Sequence, residues 1–144
     1  MNHPGKRINF FIIQIMEKIK ISGLDQYLHE NLMWERSLSF YKLENAFLKT
    51  RLSQVVDNNT DKDFVNIAEH FHNRLLFTDE YINELFFDLR MQMQLIKKSL
   101  PGNHIQDVAI IGMQDKLRTG MENFEKDVVS LKNDFNNKLI YPYC

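Results

Sequence analysis

The chain of 144 residues has a single cysteine, Cys144, at its last position. One cysteine cannot form a disulfide within the chain, so nothing in the sequence requires an oxidising compartment. The formal net charge is only −1, which argues against nucleic-acid backbone or an anionic membrane surface as a partner bound mainly by charge. A membrane span needs about 20 consecutive apolar residues, and no run in the sequence reaches that length. We therefore expect a cytoplasmic protein that binds neither nucleic acid nor membrane.

Motifs of familiar catalytic chemistry are also missing. The sequence has no Gly-rich phosphate loop, no Cys-x-x-Cys pair, no His-Glu-x-x-His metal motif and no nucleophile elbow. Apolar and polar residues never alternate over a sustained stretch, and no Asn-Gly or Asp-Gly turn is present. These absences argue against an enzyme, a bound cofactor and a β-sheet fold.

The sequence does contain a helical periodicity of apolar residues. Apolar residues recur at alternating spacings of three and four along the first long segment, which is the pattern of a heptad seam. The ten seam positions are Leu24, Tyr27, Asn31, Trp34, Leu38, Tyr41, Asn45, Leu48, Leu52 and Val55.

Two later segments show the same three-and-four spacing of apolar residues. One runs from Phe64 through Phe71, Leu85 and Gln92 to Ile96, and the other is clearest from Leu117 to Phe135. We predict three helices, at about residues 24–56, 61–99 and 104–139. Short connections between long helices force consecutive helices to run in opposite directions. The predicted fold is an all-α, elongated, antiparallel up-down-up three-helix bundle with coiled-coil-like seams, spanning residues 22–141.

Polar and glycine-containing stretches mark the predicted helix ends. Ser22 or Asp25 would cap the first helix, and Asp57-Asn58-Asn59 would end it. Thr60 begins a sequence that resembles a capping box for the second helix, and Pro101-Gly102 would end that helix. Asn103 would cap the third helix and Tyr141-Pro142 would close it; Gly112 and Gly120 would mark a bend or a close backbone approach.

Residues 1–21 form a separate N-terminal extension in this interpretation. Two alternatives remain open for its first part. The native chain starts at Met16, or the residues before it form a short additional helix or strand that packs on the bundle. N-terminal sequencing of the native protein distinguishes them.

A second set of apolar residues lies off the seams. Met33, Phe40 and Phe47 are each seven residues apart, with Leu43 between them, on the side of the first helix that faces away from its seam. A three-helix bundle cannot bury such a stripe, and soluble monomers rarely expose one. We predict an interaction surface for a second copy or a partner helix; the alternative is a wider core face or a set of scattered exposed aromatic residues. The predicted surface residues are Met33, Phe40, Leu43, Phe47, Leu76 and Phe77.

Asn31 and Asn45 occupy seam positions. A buried asparagine in a helical seam commonly fixes register and oligomeric state at a cost in stability. The alternative is a polar pocket for a ligand. We predict register control for both residues.

Glu69 and His72 show the Glu-x-x-His spacing that di-iron bundles use. No second copy of this spacing exists, and both residues fall outside the predicted seam, whereas metal ligands should converge on the interior. We predict no metal site. The alternative is a metal-dependent or ligand-binding bundle centred on Glu69, His72 and either Glu35 or Glu44.

The sequence therefore predicts a small non-enzymatic helical protein that acts as a scaffold or adaptor through protein–protein contact. The predicted contact is a homodimer through the Met33, Phe40 and Phe47 side of the first helix.

Overall fold

The computed structural model describes the backbone of residues 4–59, 61–99 and 108–140, and the side chains within those ranges from residue 23 onward. Helix α1 spans Pro4–Asp57, α2 spans Lys62–Ser99 and α3 spans Val108–Phe135. The chain then widens into a single π-helical turn at Asn136–Ile140. No strand occurs in these ranges. The predicted all-α three-helix fold is confirmed.

Helix α1 begins much earlier than the sequence analysis expected. The predicted start near Ser22 is internal to a helix that already begins at Pro4. Proline suits the first turn of a helix, where its missing N–H would have no partner. Gly23 does not interrupt the helix, because one glycine costs only about 1 kcal/mol relative to alanine. Residues 4–21 thus extend α1 and do not form a separate element.

A tight turn joins α1 to α2. The backbone N–H groups of Asn58 and Asn59 donate to carbonyls of the last turn of α1. The Asn59 side chain accepts from the N–H of Asp61 at 3.0 Å, and the Asp61 carbonyl accepts from the N–H of Val65 at 2.9 Å. Asp61 therefore occupies the capping position of α2. Thr60, the predicted start of a capping box, lies outside the described residues, as do residues 100–107 and 141–144.

The order of contacts gives the relative directions of the helices. Leu24 of α1 packs with Ile96 near the end of α2, whereas Leu52 packs with Phe64 near its beginning. Residues early in α1 therefore pack with residues late in α2, and residues late in α1 pack with residues early in α2. Between α2 and α3, the Gln92 side chain bonds to Ile110, and Arg74 pairs with Asp134. Consecutive helices meet in opposite directions, and α3 returns beside α1.

The core residues recur at the spacings that the sequence shows. On α1, every seventh residue from Leu24 to Leu52 is buried, whereas Tyr27, Trp34 and Tyr41 are only half-buried. The buried residues of α2 are Phe64, Ala68, Phe71, Leu75, Ile82, Leu85, Leu89, Gln92 and Ile96. In α3 the π-helical turn adds one residue to the local repeat. This places Leu139 in the core and leaves Lys138 exposed.

Two polar layers divide this core into three apolar clusters. The cluster nearest the α1–α2 turn includes Leu48, Phe71 and Phe135, and the middle cluster includes Leu38 and Phe124. The third cluster consists of Leu24, Ile96 and Ile110. The layers between them contain the buried amides.

Candidate interaction surface

Asn45 forms the polar layer nearest the turn. Its Nδ2 donates to the carbonyl of Leu75 at 2.9 Å and to Oδ1 of Asp79 at 2.5 Å. The ammonium of Lys49 binds the other oxygen of Asp79. The carbonyl and carboxylate acceptors lie one turn apart on α2, so the Asn45 side chain joins α1 to one level of α2. The layer is a connected set of bonds within one chain.

Asn31 belongs to the second polar layer, with Gln92 and Gln114. Gln114 Nε2 donates to Oδ1 of Asn31 at 2.8 Å and to Oε1 of Glu30 at 2.7 Å. Gln92 Nε2 donates to the Ile110 carbonyl at 2.8 Å and to Gln114 at 3.2 Å. Asn31 Nδ2 and Gln92 Oε1 are buried and have no hydrogen-bond partner among the described residues. The layer joins all three helices but is only partly satisfied.

Gln114 is a core residue that the sequence analysis did not identify. It is fully buried, although glutamine is usually found at the surface. The sequence could have identified Gln114 as a core residue by its spacing, because Gln114 precedes Leu117 by three residues and Met121 by seven. Gln92, in contrast, was included in the predicted seam of the second helix.

Ion pairs bridge α1 and α3 along the bundle. The Arg118 guanidinium donates from Nη2 to Oε1 of Glu30 at 2.7 Å and from Nε to Oε2 at 3.2 Å. Hydrogen bonding to Glu30 raises the pKa of Arg118 above its ordinary value. Lys132 lies 2.5 Å from Glu44. Glu44, one of the carboxylates considered for a metal site, thus has a cation as its partner.

Aromatic side chains of α1 lie at the edge of this α1–α3 contact. Tyr41 packs edge-on against Phe124, with ring centroids 5.4 Å apart. Burial raises the pKa of the Tyr41 hydroxyl above 10.0, and the carboxylates of Glu125 and Glu44 add to the effect. The same cause raises the pKa of Tyr81, which packs on Phe124 from α2. Both phenols are therefore neutral at physiological pH.

The opposite side of α1 exposes large apolar side chains. Met33 is 48% exposed, Phe40 60%, Leu43 73% and Phe47 67%. Leu32, which the sequence analysis did not include, is 46% exposed beside them. We call these five residues the α1 apolar face.

Helix geometry explains why these residues point away from the core. Phe40 and Phe47 follow the buried residues Leu38 and Asn45 by two positions, which turns each aromatic ring about 200° around the helix at 3.6 residues per turn. The small exposed residues of this side, Ser39 and Ala46, are uncharged. The α1 apolar face is therefore uninterrupted by charge from about residue 39 to residue 47, and Arg36 separates this part from Leu32 and Met33.

The two predicted surface residues of α2 lie in different places. Leu75 bonds to Asn45, so its neighbour Leu76 is level with the α1 apolar face. Leu76 also follows His72 by four residues, which puts it on the side of α2 that borders α1. Phe77 instead lines a groove with α3, beside Asp127 and Leu131. Both are exposed, Leu76 at 43% and Phe77 at 70%. Leu76 borders the α1 apolar face, whereas Phe77 belongs to the α2–α3 side.

Glu69 and His72 lie in a groove of about 330 Å³ between the end of α1 and the start of α2. The floor of the groove is apolar and includes Leu52 and Ala68. Both predicted ligand residues are exposed, and Glu35 lies several turns away along α1. Within the described ranges, no three His, Cys, Asp or Glu side chains are grouped as metal ligands would be. The structure does not bring the residues of the metal alternative together.

No protein-family model, curated protein or solved structure matches this chain. In the part of the chain that the structure describes, no helix is apolar over a length that would cross a bilayer.

Proposed function

We propose that this protein is a non-enzymatic helical scaffold that acts through protein–protein contact, and that two copies associate through the α1 apolar face. The observation that carries the proposal is the exposure of Met33, Phe40, Leu43 and Phe47 along one side of one helix. Burial of such side chains is the main favourable term in protein association.

The size of the α1 apolar face supports association. Taking roughly 200 Å² for a fully exposed large side chain, the exposed fractions of its five residues correspond to about 600 Å². On the same basis its uninterrupted part, Phe40, Leu43 and Phe47, exposes about 400 Å², within the roughly 300–600 Å² of the largest apolar patch on a typical monomer, a patch that is often functional. A standard interface buries about 800 Å² on each partner. The face and its small neighbours Ser39 and Ala46 approach that area.

The length of the helices suits a scaffold. Helix α2 has 38 residues, which corresponds to about 57 Å at 1.5 Å per residue. Two such bundles joined along α1 would present their α2 and α3 surfaces on opposite sides of the pair. The dimer would then hold two binding surfaces at a fixed separation.

Charge reversal on the α1 apolar face tests the proposal. We expect the double variant Phe40→Glu with Phe47→Glu to lower the mass measured by sedimentation equilibrium from dimer to monomer. Placing carboxylates in an apolar interface removes the buried area and adds a desolvation cost. Circular dichroism should show unchanged helicity, because both side chains are exposed in the protomer.

A matched control uses an equally exposed aromatic pair on α2. Phe77 and Phe87 are 70% and 64% exposed, so Phe77→Glu with Phe87→Glu adds the same charge elsewhere on the surface. This control should leave the mass unchanged. If the mass decreases only in the control, or in neither double variant, the assignment of the dimer interface to α1 is contradicted.

A further inference from the structure

We propose that the two copies pair α1 against α1 in antiparallel orientation, in a register that places Phe40 of each copy against Leu43 of its partner. This inference rests on the proposed function, because it specifies the geometry of the same contact. It follows from the spacing and charges of the exposed side of α1.

That exposed side forms a second seam. Met33, Arg36, Phe40, Leu43 and Phe47 are separated by alternating steps of three and four residues, and all five are exposed. This is the spacing with which one helix packs along another in a coiled coil. The first seam of α1 is occupied by α2 and α3, so the second seam is available to a second copy.

Arg36 distinguishes the two possible orientations. In a parallel pair each seam residue faces its own counterpart, so the two Arg36 guanidinium groups would be opposed at the interface. Like charges facing each other in an interface are costly. An antiparallel pair instead places Arg36 against an aromatic ring, Phe47 of the partner. A guanidinium over an aromatic ring is a favourable cation–π contact.

The flanking charges select the register. With Phe40 against Leu43 of the partner, Glu30 lies across from Arg51 of the partner, within about 3 Å of the same level at 1.5 Å per residue. Arg51 forms no ion pair with another described residue of its own chain. Sliding one α1 helix along the other by seven residues in one direction places Glu30 next to the partner's Glu44. Sliding it by seven residues in the other direction places the Glu44 residues of the two copies next to each other. Of these three registers, only the proposed one adds a cation beside Glu30, which already binds Arg118 of its own chain. The other two bring a second carboxylate to Glu44, which already binds Lys132.

Two small exposed residues beside the seam report the register directly. Ser39 of one copy lies next to Ala46 of the partner in the proposed pair. We would replace Cys144 with serine and introduce Ser39→Cys and Ala46→Cys, together and singly. A disulfide requires Cβ atoms about 3.5–4.5 Å apart, so oxidation should convert the double-cysteine variant to a covalent dimer on a non-reducing denaturing gel. Both single-cysteine variants should migrate as monomers.

Each other outcome overturns the geometry in an identifiable way. Cross-linking of Ser39→Cys alone indicates a shift of one heptad, and cross-linking of Ala46→Cys alone indicates the opposite shift. Cross-linking of Arg36→Cys alone, in the Cys144→Ser background, indicates the parallel pair. A dimer in sedimentation that gives no cross-link in any variant refutes the register but leaves the proposed function standing. A monomeric Cys144→Ser protein in sedimentation refutes both.

Discussion

At the scale of single residues, the two seam asparagines have different surroundings. Asn45 donates both of its amide hydrogens, one of them to the charged carboxylate of Asp79. Asn31 accepts from Gln114, but its own Nδ2 has no partner among the described residues. Hydrogen bonds to charged groups contribute about 1.5–3 kcal/mol, and an unpaired buried group contributes a penalty of similar size. The sequence pattern alone does not distinguish these two cases.

We expect Asn45→Leu to lower the free energy of unfolding by about 2 kcal/mol, because Asp79 loses a buried donor. We expect Asn31→Leu to change it by less than about 1 kcal/mol. Leucine removes the two unpaired N–H groups of Asn31 Nδ2 and adds apolar burial, while one N–H of Gln114 becomes unpaired in exchange. Urea unfolding followed by circular dichroism compares the two variants. A larger loss in Asn31→Leu than in Asn45→Leu would show that the described hydrogen bonds do not set their stabilities.

The positions of both asparagines were predictable, and their partners were not. Heptad spacing places Asn31 and Asn45 on the seam, and both are buried. Their bonding depends on which residues of α2 and α3 lie at the same level, and that alignment is a tertiary property. Gln114 shows the same limit, since its spacing fits the seam while its polarity is typical of a surface position.

At the scale of helices, periodicity predicted the buried side of α2 well and the start of α1 poorly. A repeating apolar pattern averages over many residues, so one unusual residue does not obscure it. A helix end instead depends on local capping choices, and Ser22-Gly23 resembles a cap although the helix continues through it. The π-helical turn at Asn136–Ile140 had no recognisable signal in the sequence.

The glycines of α3 provide a test at this scale. Gly112 has no atom within 4 Å of the site where a Cβ would stand, and a Cβ at Gly120 would lie 3.5 Å from Leu85, an ordinary contact distance. Since α3 continues through both, Gly112→Ala and Gly120→Ala should each raise the free energy of unfolding by about 0.5–1 kcal/mol. The increase comes from the lower entropy of the unfolded chain and is read from the urea midpoint. A decrease for Gly112→Ala would mean that the helix needs flexibility there.

At the scale of the whole molecule, the exposed apolar residues were predictable but their grouping was not. Heptad arithmetic showed that Met33, Phe40 and Phe47 face away from the seam of α1, and all three are exposed. The same arithmetic could not show that Leu76 borders this surface while Phe77 lies beside α3. That distinction depends on how α2 is rotated against its neighbours.

Association of two copies through the α1 apolar face is best tested by sedimentation equilibrium of the unmodified protein at micromolar concentrations, under reducing conditions. We expect a mass about twice the 17.2 kDa of one chain, decreasing on dilution as a reversible dimer dissociates. A mass of one chain at every concentration would contradict it.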